Sequence, residues 1–180
     1  LGFYEEGIAS FINKPTTASG PFSFALGFGS TASDTAAIAM GVKSEALQPF
    51  ATAIGFVTKA MGRQSQAIGA FSETTADNAT AIGNQASAEA LNAFAIGNES
   101  RANGEFAMAV GTAATASGEQ SYSFGNNISN SGNKSFAMGN NVFVTTDATS
   151  SFAIGNNIGI DAPGSFVFGD GTSLSPNIIS

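Results

Sequence analysis

The sequence predicts an all-β fold, a solenoid stacked from about eleven short coils of fourteen residues each. Three observations predict it: a glycine-anchored triplet on a fixed ruler, an alternation of apolar and small residues with period two, and a shortage of charge in a chain rich in phenylalanine.

The ruler comes first. A small-apolar-glycine triplet returns as Ala25-Leu26-Gly27, Ala39-Met40-Gly41, Ala53-Ile54-Gly55, Ala67-Ile68-Gly69, Ala81-Ile82-Gly83 and Ala95-Ile96-Gly97. It continues as Ala109-Val110-Gly111, Ser123-Phe124-Gly125, Ala137-Met138-Gly139, Ala153-Ile154-Gly155 and Val167-Phe168-Gly169. Successive anchor glycines lie 14 residues apart in nine of ten intervals, and only Gly139 to Gly155 spans 16. Ala or Ser stands four residues before every anchor, from Ser23 to Ser165. Small residues follow three and five after it in the first seven repeats, as Ser44 and Ala46 or Ser100 and Ala102. A second glycine falls half a period on, at Gly62, Gly104, Gly118 and Gly132. One degenerate repeat, with Asn13 in the anchor place, precedes the rest.

The alternation makes these segments strands. A helix needs period 3.6 and would carry a glycine every few turns, at about 1 kcal/mol each. Two strands of about five residues and two glycine-bearing turns fill one circuit, since glycine accepts the positive φ of tight turns. So short a circuit closes into a flat coil with almost no interior. One bulky side chain per layer is expected there, met by Ala, Ser or Thr opposite. The residues before the glycines, Leu26 through Phe168, are expected in buried positions, either inside the coil or in a seam between chains. Twelve layers at about 4.8 Å span roughly 55 Å.

Composition bounds the partners. Charged residues are 11% of the chain, 43% of residues are apolar and 16 are Phe. Such a chain hides surface in an assembly or offers it to a partner. The columns with Phe24, Phe94, Phe136, Phe152 and Phe166 need cover, and another copy of the same chain supplies it. Net charge is −7, and Lys14, Lys43, Lys59, Arg63, Arg101 and Lys134 are scattered, so no basic stripe tracks a phosphate backbone and nucleic acid is not an expected partner. No apolar run approaches the roughly 20 residues of a membrane-spanning helix. The opening residues lack the features of a signal peptide, which implies prior removal or a fragment.

Catalysis finds no material. Histidine and cysteine are absent, which excludes Ser/His and Cys/His dyads, disulfides and thiolate or imidazole metal sites. The adjacent Glu5 and Glu6 suggest a solvated terminus rather than an acid/base couple. No phosphate-cradling loop and no calcium-binding nonapeptide is present. No enzyme activity, cofactor or metal is expected. The pairs Asn126-Asn127, Asn140-Asn141 and Asn156-Asn157 form a turn column expected to act as a backbone-capping ladder.

The stretch Asn92-Ala93-Phe94-Ala95-Ile96-Gly97-Asn98-Glu99-Ser100 resembles the head repeat of the YadA-type trimeric autotransporter adhesins, usually written N-S-V-A-I-G-x-x-S. Residues 78–86, 134–141 and 150–157 match it with small departures, and the resemblance covers about residues 9–175. It implies a left-handed parallel β-roll of about 11–12 coils and a homotrimer wound about one axis, displayed on the Gram-negative outer membrane. It also implies binding to a host cell-surface receptor or extracellular-matrix protein. The whole of residues 1–180 is then one head domain, a fragment whose membrane anchoring belongs to a C-terminal part absent here. From Gly125 onward β-branched residues at positions 128, 142 and 158 replace Ser or Ala, so the last coils are expected to be wider or differently packed. The extra residues near Thr145-Thr146-Asp147 are expected to form a bulging turn.

Two other classes share short coils: a β-solenoid ice-binding protein, which needs an aligned Thr-x-Thr column, and a polysaccharide hydrolase, which needs longer coils and clustered carboxylates. Thr16, Thr52, Thr80 and Thr112 do not align into one such column. A purely structural spacer is the remaining alternative. The candidate partner-binding residues are Phe28, Val42, Phe56, Val57 and Phe71, in the two turn positions after the anchors. Later coils carry Asn or Asp there, at Asn84, Asn98, Asn126, Asn140, Asn156 and Asp170. Stacked, the apolar set forms a ridge at one edge of the roll. It is either a receptor site centred on Phe56 and Phe71 or part of the seam between chains.

Overall fold

The repeated ruler becomes a parallel ladder. The structure, a computed structural model, describes residues 15–171; the Asn13 anchor, the Glu5–Glu6 pair and the outermost ends of the repeat region lie outside the described residues. Each strand pairs in parallel with the strand one repeat later, like on like: Phe94↔Met108, Ala95↔Ala109, Ile96↔Val110. This is the β-solenoid of stacked fourteen-residue coils that the sequence predicts.

In the Gly97 coil, a strand Phe94–Ile96 turns a corner into the two-residue strand Arg101–Ala102, and a second turn closes the circuit. From residue 108 the strands lengthen. Met108–Ala116, Tyr122–Asn130, Phe136–Val144 and Phe152–Ile160 each run nine residues across the first corner, and Phe166–Asp170 follows.

The alternation splits each coil into an inner and an outer set, and the inner set is the small one. Buried columns stand four and two before the anchor and three and five after it: Ala93, Ala95, Ser100 and Ala102 in the Gly97 coil. The residues just before the glycines point the other way. Leu26 is 54% and Phe168 70% exposed, and Ile54, Ile68, Ile82 and Ile96 are half-buried. Of the two expected placements of this column, the inside of the coil is excluded and the seam between chains is left. The two sheets lie so close that the inward residue must be alanine-sized, and the bulky neighbour faces out. A bulky interior residue also proves to be a property of the last coils alone. Ile128, Val142, Val144, Ile158 and Ile160 are buried there, opposite Ser123, Ser135, Ala137, Ser151 and Ala153.

Several buried hydroxyls bond into the ladder, whereas those of Ser72, Thr74 and Ser121 have no partner among the described residues. Ser44 Oγ donates to the Gly55 carbonyl at 2.8 Å and Thr58 Oγ1 to the Gly69 carbonyl at 2.6 Å, tying one coil to the next.

The anchor glycines from Gly27 to Gly155 take the positive φ expected of them and have a second role besides. They sit at the strand corner, and a Cβ on Gly97 (φ 129°) would lie 2.0 Å from the Gly111 carbonyl oxygen. The requirement is close approach of two backbones together with the left-handed φ. The turn residues with φ near +55° are mostly not glycine: Phe50, Gln64, Asn78, Asn92 and Phe106 in one turn, Lys43, Val57, Phe71, Gln85 and Glu99 in the other. That conformation aims each N–H at the coil below, as Phe71 N to the Phe56 carbonyl at 2.8 Å and Phe50 N to the Thr35 carbonyl at 2.8 Å. A ladder bond offsets the local strain.

The two-residue insertion is absorbed in the second turn. Thr145 N still donates to the Ile160 carbonyl at 3.0 Å, residues 146–150 form the enlarged turn, and register resumes as Phe136↔Phe152.

Candidate functional site

Three outer surfaces follow from this geometry. On the first sheet face, the residues three and one before each anchor form an apolar stripe, unbroken in the column one before the anchors and interrupted in the other by Thr52, Gln66 and Thr80. It runs from Phe24 and Leu26 through Ile38 and Met40, Phe94 and Ile96, to Phe166 and Phe168. At its C-terminal end the rings stack: Phe136 on Phe152 at 4.9 Å and Phe152 on Phe166 at 5.1 Å, with nearly parallel planes, and Phe124 lies 5.6 Å from Phe136. So long an apolar face exceeds the few hundred Å² that a monomer usually exposes.

The second surface is the corner that follows the anchors. Here lie all five candidate binding residues, and the coil geometry brings them together. Phe28, Val42 and Phe56 occupy one column, with Val42 and Phe56 paired in register. Val57 and Phe71 occupy the next column, and the Phe71 ring meets the Phe56 ring edge-on at 5.3 Å. Val57 is half-buried, while the other four stand exposed. Val57 is also β-branched at φ 53°, a conformation that Asn would adopt at lower cost. From Asn84 on, the same corner is polar. Asn84 donates to Asn98 at 2.9 Å, Asn126 to Asn140 at 2.8 Å, Asn127 to Asn141 at 2.9 Å and Asn141 to Asn157 at 2.7 Å. These asparagines bond one another rather than cap the backbone, which corrects the sequence expectation. Backbone capping occurs in the opposite turn, where Arg63 N donates to Asp77 Oδ1 and Glu119 N to Asn133 Oδ1.

The third surface is the second sheet face, with the columns four and six after the anchor. Leu47, Met61 and the exposed Phe143 apart, it is polar, and its charged residues alternate up one column as Glu45, Lys59 and Glu73, with Ser87 and Arg101 above. A shallow cavity of about 290 Å³ opens where this face meets the ridge, lined by Phe71, Glu73, Gln85, Ala86, Ser87, Glu89 and Arg101. Sequence reading missed it, although the fourteen-residue spacing of Glu73, Ser87 and Arg101 was the available signal. It also passed over the opposite turn, where Phe22 is 94% exposed and Phe50 and Phe106 about half. Among the described residues no group of three or more acidic or metal-ligating side chains is placed to hold a metal ion.

A stacked fourteen-residue coil with a small-apolar-glycine corner is a particular object, and it has relatives. The family model of the YadA head domain repeat matches residues 18–41, 32–57, 75–100 and 102–127, together just over half of the chain. The chain belongs to the YadA head-repeat family. The matched stretches of this family member end at residue 127, where the Ile- and Val-filled coils begin. In shape it is similar to the crystal structure of the collagen-binding domain of the Yersinia adhesin YadA. The TM-score is 0.55 at 24% identity, over 82% of this chain and 69% of that one. Among curated proteins none matches this family member.

Proposed function

We propose that the chain is the non-enzymatic head of a bacterial surface adhesin, a single domain that works as a homotrimer. In this reading the head is displayed on the Gram-negative outer membrane and attaches to a host receptor or extracellular-matrix protein. One observation carries the reading: a family head repeat leaves an unbroken apolar column, Leu26 to Phe168, along one sheet face, which a lone coil cannot cover. Three copies closing that stripe about a common axis leave the corner ridge at the rim. The ridge of Phe28, Val42, Phe56, Val57 and Phe71 is then the attachment site, with Phe56 and Phe71 as its aromatic anchors. A matrix protein is favoured as the target because the similar Yersinia domain is a collagen-binding one.

Light scattering should give about 54 kDa, three times the 18.0 kDa chain. The Phe56→Ser, Phe71→Ser double variant should keep that mass and melting temperature while losing attachment to immobilised collagen and to host cells. A folded monomer would overturn the assembly. A double variant that falls apart would return the ridge to the seam between chains.

A further inference from the structure

Beside the ridge, the cavity on the polar sheet face has a composition with a use of its own. The column that builds it alternates in charge for three layers, Glu45, Lys59 and Glu73, and then breaks the alternation with Ser87 before Arg101. Because Ser87 is small, Glu73 and Arg101 stand two layers, or roughly 10 Å, apart with nothing bulky between them. Neither side chain has a hydrogen-bond or ion-pair partner among the described residues. Alanine at position 86 makes the floor and the half-exposed Phe71 ring makes a wall. Glu89 supplies a second carboxylate, held by Ser87 Oγ, which donates to Glu89 Oε1 at 3.0 Å.

We propose that this cavity receives one basic side chain, a guanidinium or ammonium group, from the protein partner. The inference rests on the adhesin reading and names the chemistry of its partner beside the ridge. A flat guanidinium stacks on the Phe71 face while its N–H groups reach the Glu73 and Glu89 carboxylates, an arrangement that suits arginine best. A volume of about 290 Å³ holds a single long side chain and no larger ligand. The chain's net charge of −7 draws basic partners toward it. Two cations flank the site. Lys59 stands one layer beyond Glu73 outside the cavity, and Arg101 lines its far end. Arg101 therefore weakens the binding of a cation and excludes a second one.

That role fixes the sign of the test. N-acetyl-arginine methylamide is titrated into the assembled protein while the backbone amides of Gln85 and Ser87 are followed by NMR; the neutral citrulline analogue is the control. The arginine probe should shift both amides and the citrulline probe neither. Glu73→Gln with Glu89→Gln should weaken binding about fivefold, the weight of an exposed charge pair. Arg101→Gln should tighten it by a similar factor. If a variant does not fold, the wild type alone decides, because binding must fall as sodium chloride rises from 0.05 to about 0.5 M. Equal shifts with citrulline, salt-independent binding, or loss of the probe in Arg101→Gln would each overturn the proposal. The ridge is untouched in these variants. Collagen attachment that persists while the arginine probe fails removes this inference and leaves the adhesin reading standing.

Discussion

The coils anchored by Gly41 to Gly97 and those anchored by Gly125 to Gly155 follow one backbone path and fill it differently. In the first group all four inward residues are Ala, Ser or Thr, and the second strand of each coil is two residues long. In the second group Ile or Val fills inward positions after the corner, and one strand runs nine residues through it. Ser123, Ser135, Ala137, Ser151 and Ala153 stay small on the opposite wall, so the bulk is admitted on one side only. The corners differ as well. The earlier coils of the first group set apolar residues there, including Val57 and Phe71 at positive φ, and the corner turns polar at Asn84, within that group; the second group sets a double column of asparagines that suit that φ and bond layer to layer. The interior and the corner thus vary separately. Stability is spread over every rung, and the costlier corner is the one that carries the proposed attachment site.

The largest effect should come from the feature both groups share. Gly97→Ala drives a methyl group into the Gly111 carbonyl and forces a left-handed φ on alanine, so it should destabilise by more than about 4 kcal/mol. Gly139→Ala, whose Cβ would lie 1.7 Å from the Gly155 carbonyl oxygen, should do the same in the other group. Denaturant midpoints measure both. If one group tolerated the change, the common path would not be common.

Next comes the interior. Ile158→Ala should leave a cavity worth about 2–5 kcal/mol in the C-terminal coils. The converse change, Ser100→Ile, puts an isoleucine where the N-terminal coils hold a hydroxyl bonded to the Gly97 carbonyl, and overpacking should cost about 1–3 kcal/mol. A Ser100→Ile protein as stable as wild type would mean that the narrow coils can widen, and the contrast would dissolve into sequence drift.

The smallest effect is the most informative about function. Val57→Asn replaces a β-branched residue at φ 53° with one at ease there, so thermal unfolding should show a gain of about 1 kcal/mol. Collagen attachment should weaken in the same variant. A gain in stability with attachment intact would leave Val57 out of the site.

Taken alone, the sequence determined the period, the parallel register and the break in register after Gly139, because a coil that pairs like with like writes its length into the spacing of its residues. It also determined the members of the ridge, since residues on one ruler must share one column. The tertiary structure decided which of the two alternating sets points inward. Period two separates Ala95 from Ile96 but gives neither a direction; the closeness of the opposite wall does, and only the methyl group fits. It decided that the anchor glycines serve backbone contact, and that Phe50, Val57 and Phe71 take the positive φ, because the ladder bond across each turn outweighs the preference of the residue. It decided that Asn126 and Asn140 bond each other rather than the chain. And it opened the cavity over Ser87, where one small side chain keeps Glu73 and Arg101 a layer too far apart for the column's alternation to continue.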